Sequence, residues 1–233
     1  VEHIATIFEG TYLSRFSSQM EAFQAMDDWL AEDAEELVEC FAERGTLFVP
    51  TLSTYEARAH RAARHDEPDP RLKYLGADGR ERFLEAMEPT ETDRNPRVIE
   101  ARMGLVEVGQ ALTRRLHAAG APLGVGTDVA HTGVLPGFAV HREVELLVEA
   151  GLPPHAALWA SARGPGVEAG ADSLTGRITA GAPADLVLLG ADPFEDVGAL
   201  SEIEAVVLRG RLLDRAELDG VLASLEGDTA RSQ

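Results

Sequence analysis

Apolar residues recur at helical spacing in several stretches of the chain. Apolar pairs about four residues apart fall on one face of a helix, and this spacing persists through an acidic run early in the sequence. Three of the stretches are followed by a glycine, which commonly terminates a helix because it adopts left-handed backbone angles without strain. The helices predicted in this way cover 29–44, 97–119, 139–150 and 153–161.

Short apolar runs without polar alternation precede these helices. A continuous apolar run of this length is typical of a strand covered on both faces, as in a parallel sheet. The predicted strands are 46–52 and 122–128, and 1–7 is interpreted as a strand end that leads into a loop. Strand and helix therefore alternate, which predicts parallel βα units and an α/β fold. Three units fill about 160 residues, whereas a closed (β/α)8 barrel needs eight.

Residues 53–96 interrupt this alternation with a polar, charged stretch that contains several prolines and glycines. Parts of it have helical patterning, namely 55–64 and 80–87. A long excursion between two core elements is often functional or mobile. A solvated surface insert explains the same composition equally well, and the sequence leaves both interpretations open.

The pattern changes again near Asp172, where short apolar runs alternate with turns. The spacing predicts a turn-rich strand pair at 176–181, strands at 184–189 and 203–208, a hairpin turn at 209–211 and a helical tail after Arg215. We therefore divide the chain into an α/β part, residues 1–171, and a small β module with its tail, residues 172–233.

Charge and composition exclude several classes of protein. The chain has 40 acidic and 21 basic side chains and a formal net charge of -19, which argues against binding to nucleic acid or to an anionic membrane. No apolar run approaches the roughly 20 residues of a membrane span. The single cysteine fits a reducing compartment, so we expect a cytoplasmic protein.

Candidate chemical groups lie where the predicted strands end. His3 follows the first strand and Asp128 ends the third, and both side chains are good ligands for zinc. Two ligands are too few for zinc, and each residue has a structural alternative, as a hydrogen-bonded histidine or a turn-capping aspartate. Thr51, Tyr55 and His131 follow strands at the same end and are candidate pocket residues. The chain contains no G-x-S-x-G nucleophile elbow, P-loop or complete G-x-G-x-x-G motif.

Several short strings, taken in order, resemble the amidohydrolase superfamily. They are Glu2-His3, Val49-Pro50-Thr51-Leu52, Gly124-Val125-Gly126-Thr127-Asp128, the run from Glu143 to Leu152, and the run from Gly176 to Leu189. The resemblance is greatest to imidazolonepropionase-like and Xaa-Pro dipeptidase-like members. It implies the C-terminal portion, about strands 6–8, of a (β/α)8 TIM-type barrel, together with part of a small β-sandwich. Ser161 and the run Arg163-Gly164-Pro165-Gly166 depart from the family pattern.

The resemblance also implies a function. In the family the residue matching His3 is a metal ligand, and the residue matching Asp128 is both a metal ligand and a proton shuttle. We therefore expect hydrolysis of an amide or other C–N bond by metal-activated hydroxide, with one or two divalent ions, most simply zinc. The expected substrate is a small molecule such as a dipeptide, an N-acyl amino acid or a cyclic amide.

The family's other metal ligands, an HxH pair, a lysine and a further histidine, have no counterpart here. The chain starts at Val1 without an initiator methionine or a signal peptide, and we interpret that start as a cut in a longer protein. We therefore expect this chain alone to be inactive. A non-catalytic scaffold and a mononuclear deaminase of the same superfamily remain alternatives, and a homo-oligomer is compatible with the sequence.

Overall fold

The computed structural model describes residues 1–3, 25, 28–30, 34–129, 133–168 and 174–228, with the backbone alone for 164–168 and 227–228. Among these residues the helices are α1 (Ala34–Arg44), α2 (Leu52–Ala59), α3 (Arg61–Asp66), α4 (Gly76–Ala86), α5 (Pro96–Ala118), α6 (Ala139–Glu149), α7 (Pro154–Glu168) and α8 (Arg215–Asp228). The strands are β1 (Leu186–Leu189), β2 (Ile203–Leu208) and β3 (Arg211–Asp214). Short 3-10 helices cover Pro70–Leu75, Thr92–Arg94 and Val197–Ser201.

Three short extended segments lie side by side in parallel, and we name them segment 1 (1–3), segment 2 (47–49) and segment 3 (122–124). Glu2 pairs with Val49 and Phe48 pairs with Leu123, so segment 2 lies between the other two. The N–H of Val49 donates to the carbonyl of Val1 at 3.0 Å, and the N–H of Gly124 donates to the carbonyl of Phe48 at 2.9 Å. The parallel arrangement predicted from strand–helix alternation is therefore present at these segments.

The strands predicted at 46–52 and 122–128 were too long. Strand pairing within these two stretches is limited to the isolated bridges at Phe48, Val49 and Leu123. Pro50 has no N–H to donate to a ladder, and Leu52 already begins α2. The carboxyl ends of segments 2 and 3 therefore turn away from the sheet direction soon after their bridges.

The helices pack around these segments and form the main core. α2 packs against α5 and α6, and α6 also packs against α7. Six of the largest fully buried side chains lie at this junction: Phe48, Leu52, Leu112, Leu116, Leu146 and Leu147. The ring of Phe41 on α1 meets the ring of Phe48 edge-on, with centroids 6.1 Å apart. Segment 2 is therefore held between helices that come before and after it in the chain.

The polar stretch 53–96 is folded into helices rather than an irregular loop. The helices predicted at 55–64 and 80–87 correspond to α2 with α3 and to α4. α8 from the end of the chain packs against α4 and against the 3-10 helix Pro70–Leu75, and Lys73 Nζ lies 2.8 Å from Glu226 Oε1. The stretch and the C-terminal helix thus form a layer together.

Strands β1, β2 and β3 form an antiparallel sheet in that order. The predicted hairpin turn joins β2 to β3, with positive φ at both Arg209 (52°) and Gly210 (79°), as in the turns that suit two-residue hairpins. Val187 and Leu188 are adjacent and so face opposite sides of the sheet, yet they are 55% and 48% exposed. Both faces of this sheet are therefore open to solvent at β1.

Two further predictions about boundaries need correction. The strand pair predicted at 176–181 is a succession of turns, and the helix predicted to end at Ser161 continues to Glu168. Gly176 and Gly181 both have positive φ, which interrupts an extended strand. None of the helices in the described part of the chain is long and apolar enough to cross a bilayer.

Candidate active site

Three residues at the carboxyl ends of the parallel segments share an unusual backbone conformation. His3, Thr51 and Asp128 have φ of 68°, 53° and 46°, in the left-handed region that residues with a Cβ rarely adopt. Such residues cost about 1–3 kcal/mol each and occur most often at functional sites. The structure places all three at the same end of the parallel segments.

A hydrogen bond links His3 to Thr51. His3 Nδ1 lies 3.0 Å from Thr51 Oγ1, and Thr51 Oγ1 lies 2.7 Å from the carbonyl oxygen of Pro50. A carbonyl only accepts, so the hydroxyl proton of Thr51 goes to Pro50, and Oγ1 then accepts from His3 Nδ1–H. In its neutral form His3 therefore carries its lone pair on Nε2, the state that a metal ligand needs.

Asp128 is attached to the same structure through α2. The hydroxyl of Thr54 donates to the carbonyl oxygen of Thr127 at 2.8 Å. This bond fixes the residue before Asp128 to the first turn of α2, which follows Thr51. Asp128 itself is half-buried. The ends of segments 2 and 3 are thus joined by one side-chain bond.

Glu143 is a residue of this region for which sequence reasoning predicted no role. It lies on α6 and is fully buried, and its carboxylate accepts the backbone N–H groups of Leu52 at 2.8 Å and Ser53 at 2.7 Å. Burial raises the pKa of Glu143 to about 7, although the N–H bonds from Ser53 and Leu52 act in the opposite direction. The signal available in the sequence was a carboxylate on the apolar face of a helix, three and four residues before Leu146 and Leu147.

The other two predicted pocket residues differ in placement. Tyr55 is 7% exposed and belongs to the hydrophobic core, so its ring does not open toward solvent beside His3. His131 lies outside the described residues. The structure therefore places His3, Thr51 and Asp128 at the same end of the parallel segments and Tyr55 in the hydrophobic core.

A cavity of about 770 Å³ lies between the stretch 53–87 and the start of α6. Ser53 reaches it, and the rest of its wall includes an ion-pair cluster. Arg142 Nη2 lies 2.6 Å from Glu56 Oε1, and Arg64 Nη2 lies 3.1 Å from Glu56 Oε2. Burial alone raises the pKa of Glu56, but the bonds from Arg142 outweigh it and hold that pKa below its ordinary value. The cluster thus supports the wall as a set of paired charges.

The described residues supply two donors suited to a metal ion, His3 and Asp128. Among the residues that the structure describes, no group of three or more His, Cys, Asp or Glu side chains is arranged to hold one. The imidazole of His3 and the carboxylate of Asp128 are suitable donor types, but zinc usually takes three or four protein ligands. The described residues therefore offer part of a metal site and no complete one.

The chain has a mixed fold of helices and a small antiparallel sheet that matches part of the amidohydrolase fold. Solved structures similar to it include amidohydrolases, a prolidase and a Xaa-Pro dipeptidase. This confirms the resemblance to the amidohydrolase superfamily that the motifs predicted.

Three of these structures define the likeness. The bottromycin amidohydrolase shares 25% identity with a TM-score of 0.68, over 94% of this chain and 46% of its own. A prolidase-like protein from Bifidobacterium longum shares 28% identity with a TM-score of 0.52, over 77% of this chain and 39% of its own. A Xaa-Pro dipeptidase with methionine bound in its active site shares 21% identity with a TM-score of 0.55, over 84% and 43%. The chain thus spans less than half the length of each, while no protein-family model and no curated protein matches it.

Proposed function

We propose that this chain carries part of the active site of a metal-dependent amidohydrolase, in which His3 and Asp128 are two ligands of a divalent metal ion. The observation that carries the proposal is the placement of His3, Thr51 and Asp128 at the carboxyl ends of three adjacent parallel segments, each in the left-handed conformation. Chemistry in βα barrels occurs at this end of the strands. The likeness to the bottromycin amidohydrolase over 94% of the chain supports the same reaction class.

The two donors suit zinc in type. Thr51 holds the proton of His3 on Nδ1, which leaves Nε2 as the atom that binds the metal. The carboxylate of Asp128 supplies oxygen, the other common ligand of a hydrolytic zinc site. The remaining ligands in this proposal come from residues other than the described ones.

A divalent ion held by His3 and Asp128 together with further ligands would lower the pKa of a water molecule and would polarise the substrate carbonyl. Asp128 takes the proton released when water attacks the carbonyl carbon. It then gives that proton to the nitrogen as the C–N bond breaks, so the products are a carboxylic acid and an amine. His3 would bind the ion through a neutral ring, because a protonated imidazole has no lone pair for a metal.

We propose a small substrate with an amide or peptide bond: a dipeptide that ends in proline, an N-acyl amino acid or a cyclic amide. Two of the similar structures are described as a prolidase and a Xaa-Pro dipeptidase, which favours the dipeptide. The test is hydrolysis of a panel of these three classes by the intact protein supplied with zinc, with the released amine measured.

The decisive variants are Asp128→Asn and His3→Asn. We expect Asp128→Asn to lower kcat at least about 100-fold, because asparagine cannot shuttle the proton. His3→Asn is expected to lower the bound zinc as well as the rate. The matched controls are the exposed residues Asp78→Asn and His155→Asn, which leave both unchanged. Full activity in Asp128→Asn would contradict the proposal, and an intact protein that binds zinc without hydrolysing the panel would favour the non-catalytic scaffold.

A further inference from the structure

The first turn of α2 has an unusual cap. Thr51 is the residue before the helix, where a threonine commonly accepts a hydrogen bond from one of the first free N–H groups. Here the Thr51 side chain makes no such bond, and its hydroxyl joins Pro50 and His3 instead. The N–H groups of Leu52 and Ser53 are taken by Glu143 from another helix.

The carboxylate of Glu143 therefore replaces the threonine as the cap of α2. The exchange has a chemical consequence for the site. Without Glu143 the free N–H groups of the first turn would need another acceptor, and because the hydroxyl of an N-cap threonine commonly supplies one, the Thr51 hydroxyl would be shared between them and His3. Because a carboxylate offers two oxygens at 2.8 and 2.7 Å, both N–H groups are satisfied at once.

We propose that Glu143 is a positioning residue for the active site: by capping α2 it releases the Thr51 hydroxyl to hold the proton of His3 on Nδ1. The effect passes from Glu143 through the backbone of the first turn of α2 to Thr51 and then to His3. The carboxylate of Glu143 is fully buried and bonded to the backbone of α2, so its proposed effect on the site is indirect. The proposal rests on the proposed function in one respect, that the Nε2 lone pair of His3 is the one used.

The test is the tautomer of His3, measured by NMR on intact protein labelled with 15N in histidine. The chain has seven histidines, and the spectrum of His3→Asn identifies the signals of His3. We expect the wild type to show His3 protonated at Nδ1 and unprotonated at Nε2. Glu143→Leu removes both acceptor oxygens, and we expect it to give a mixture with protonated Nε2.

Two variants of Thr51 show how the His3 tautomer depends on the Thr51 hydroxyl. Thr51→Val keeps the shape of the side chain without the hydroxyl, so it is expected to lose the Nδ1–H tautomer as Glu143→Leu does. Thr51→Ser keeps the hydroxyl and is expected to retain that tautomer. Glu149→Gln is the control on α6, because its carboxylate is half-exposed and pairs with Arg142.

A folded Glu143→Leu protein with an unchanged His3 tautomer would overturn the proposal. If Glu143→Leu does not fold, Glu143→Gln decides, because its single side-chain oxygen satisfies one N–H and leaves the other to compete for Thr51. A partial shift of the His3 tautomer supports the proposal there, and no shift overturns it. The readout needs neither metal nor turnover. If the tautomer shifts while His3→Asn leaves hydrolysis intact, the proposed function fails and the positioning role stands.

Discussion

The buried carboxyl of Glu143 should make the stability of the protein depend on pH. Its pKa is about 7 in the folded chain and 4.5 in its ordinary state. A carboxyl with a raised folded pKa binds more protons folded than unfolded between these values, so the free energy of unfolding falls as pH rises from 4.5 to 7. Each unit of difference between the folded and unfolded pKa is worth about 1.4 kcal/mol, so this difference amounts to about 3 kcal/mol of unfolding free energy.

The perturbation is Glu143→Gln, which removes the titration and keeps the volume. Glutamine, like the protonated carboxyl, offers one carbonyl oxygen, so it accepts one of the two N–H groups that the carboxylate accepts. The difference in unfolding free energy between variant and wild type should then change by about 3 kcal/mol in favour of the variant between pH 4.5 and pH 8. The assay is urea unfolding followed by circular dichroism at several pH values, with equal m-values as the check on two-state behaviour.

The comparison with the variant is needed because other groups titrate as well. Burial lowers the pKa of His141 below 6.5, which makes stability rise with pH in part of the same range. The pKa values of Asp66 and Asp93 are held at about 2 by Arg94 and Arg102, and these act at lower pH. Such contributions cancel in the difference between the two proteins. A difference in unfolding free energy that stays constant from pH 4.5 to pH 8 would show that burial does not raise the pKa of Glu143.

Three further predictions concern the cavity wall, the metal and the open sheet. Arg142→Met should lower the unfolding free energy by about 2 kcal/mol, because Glu56 is left half-buried without its main partner. The control is Arg211→Met, which breaks an exposed ion pair and should cost under about 1 kcal/mol. Urea unfolding of both variants measures the two costs. The 233-residue chain alone should bind zinc weakly, because His3 and Asp128 are two donors, and stoichiometric tightly held zinc in metal analysis of the purified chain would contradict this. Leu212→Lys on edge strand β3 should reduce concentration-dependent association in sedimentation velocity, and a wild type that stays monomeric at high concentration would count against the exposed sheet as its cause.

Much of the helical layout could be predicted because helical periodicity is a local signal. α5 was expected at 97–119 and lies at Pro96–Ala118, and α6 was expected at 139–150 and lies at Ala139–Glu149. The glycines that follow these helices have positive φ, as a C-terminal cap requires. The strands were less accurate, because an apolar run marks burial without showing where pairing stops. The division at residues 171 and 172 stays a prediction.

In the candidate site, too, some features could be predicted from the sequence and others could not. His3 and Asp128 could be proposed because each ends an apolar run, and motifs that resemble the amidohydrolase superfamily surround them. The bond between His3 and Thr51 could not, because it joins residues 48 positions apart in a left-handed turn that no local pattern specifies. The bond between Glu143 and Ser53 joins residues 90 positions apart in the sequence, and its local signal is a charged residue on an apolar helix face.

The left-handed residues explain why these long-range bonds matter. Each of His3, Thr51 and Asp128 carries strain of about 1–3 kcal/mol that its own local sequence does not repay. Three of the side-chain bonds described above join a segment end to another part of the fold: His3 to Thr51, Thr54 to the carbonyl before Asp128, and Glu143 to the start of α2. All three involve residues 51–54. The first turn of α2 therefore holds the site together, and changes there should disturb His3 and Asp128 jointly, whereas changes elsewhere in α2 should affect stability alone.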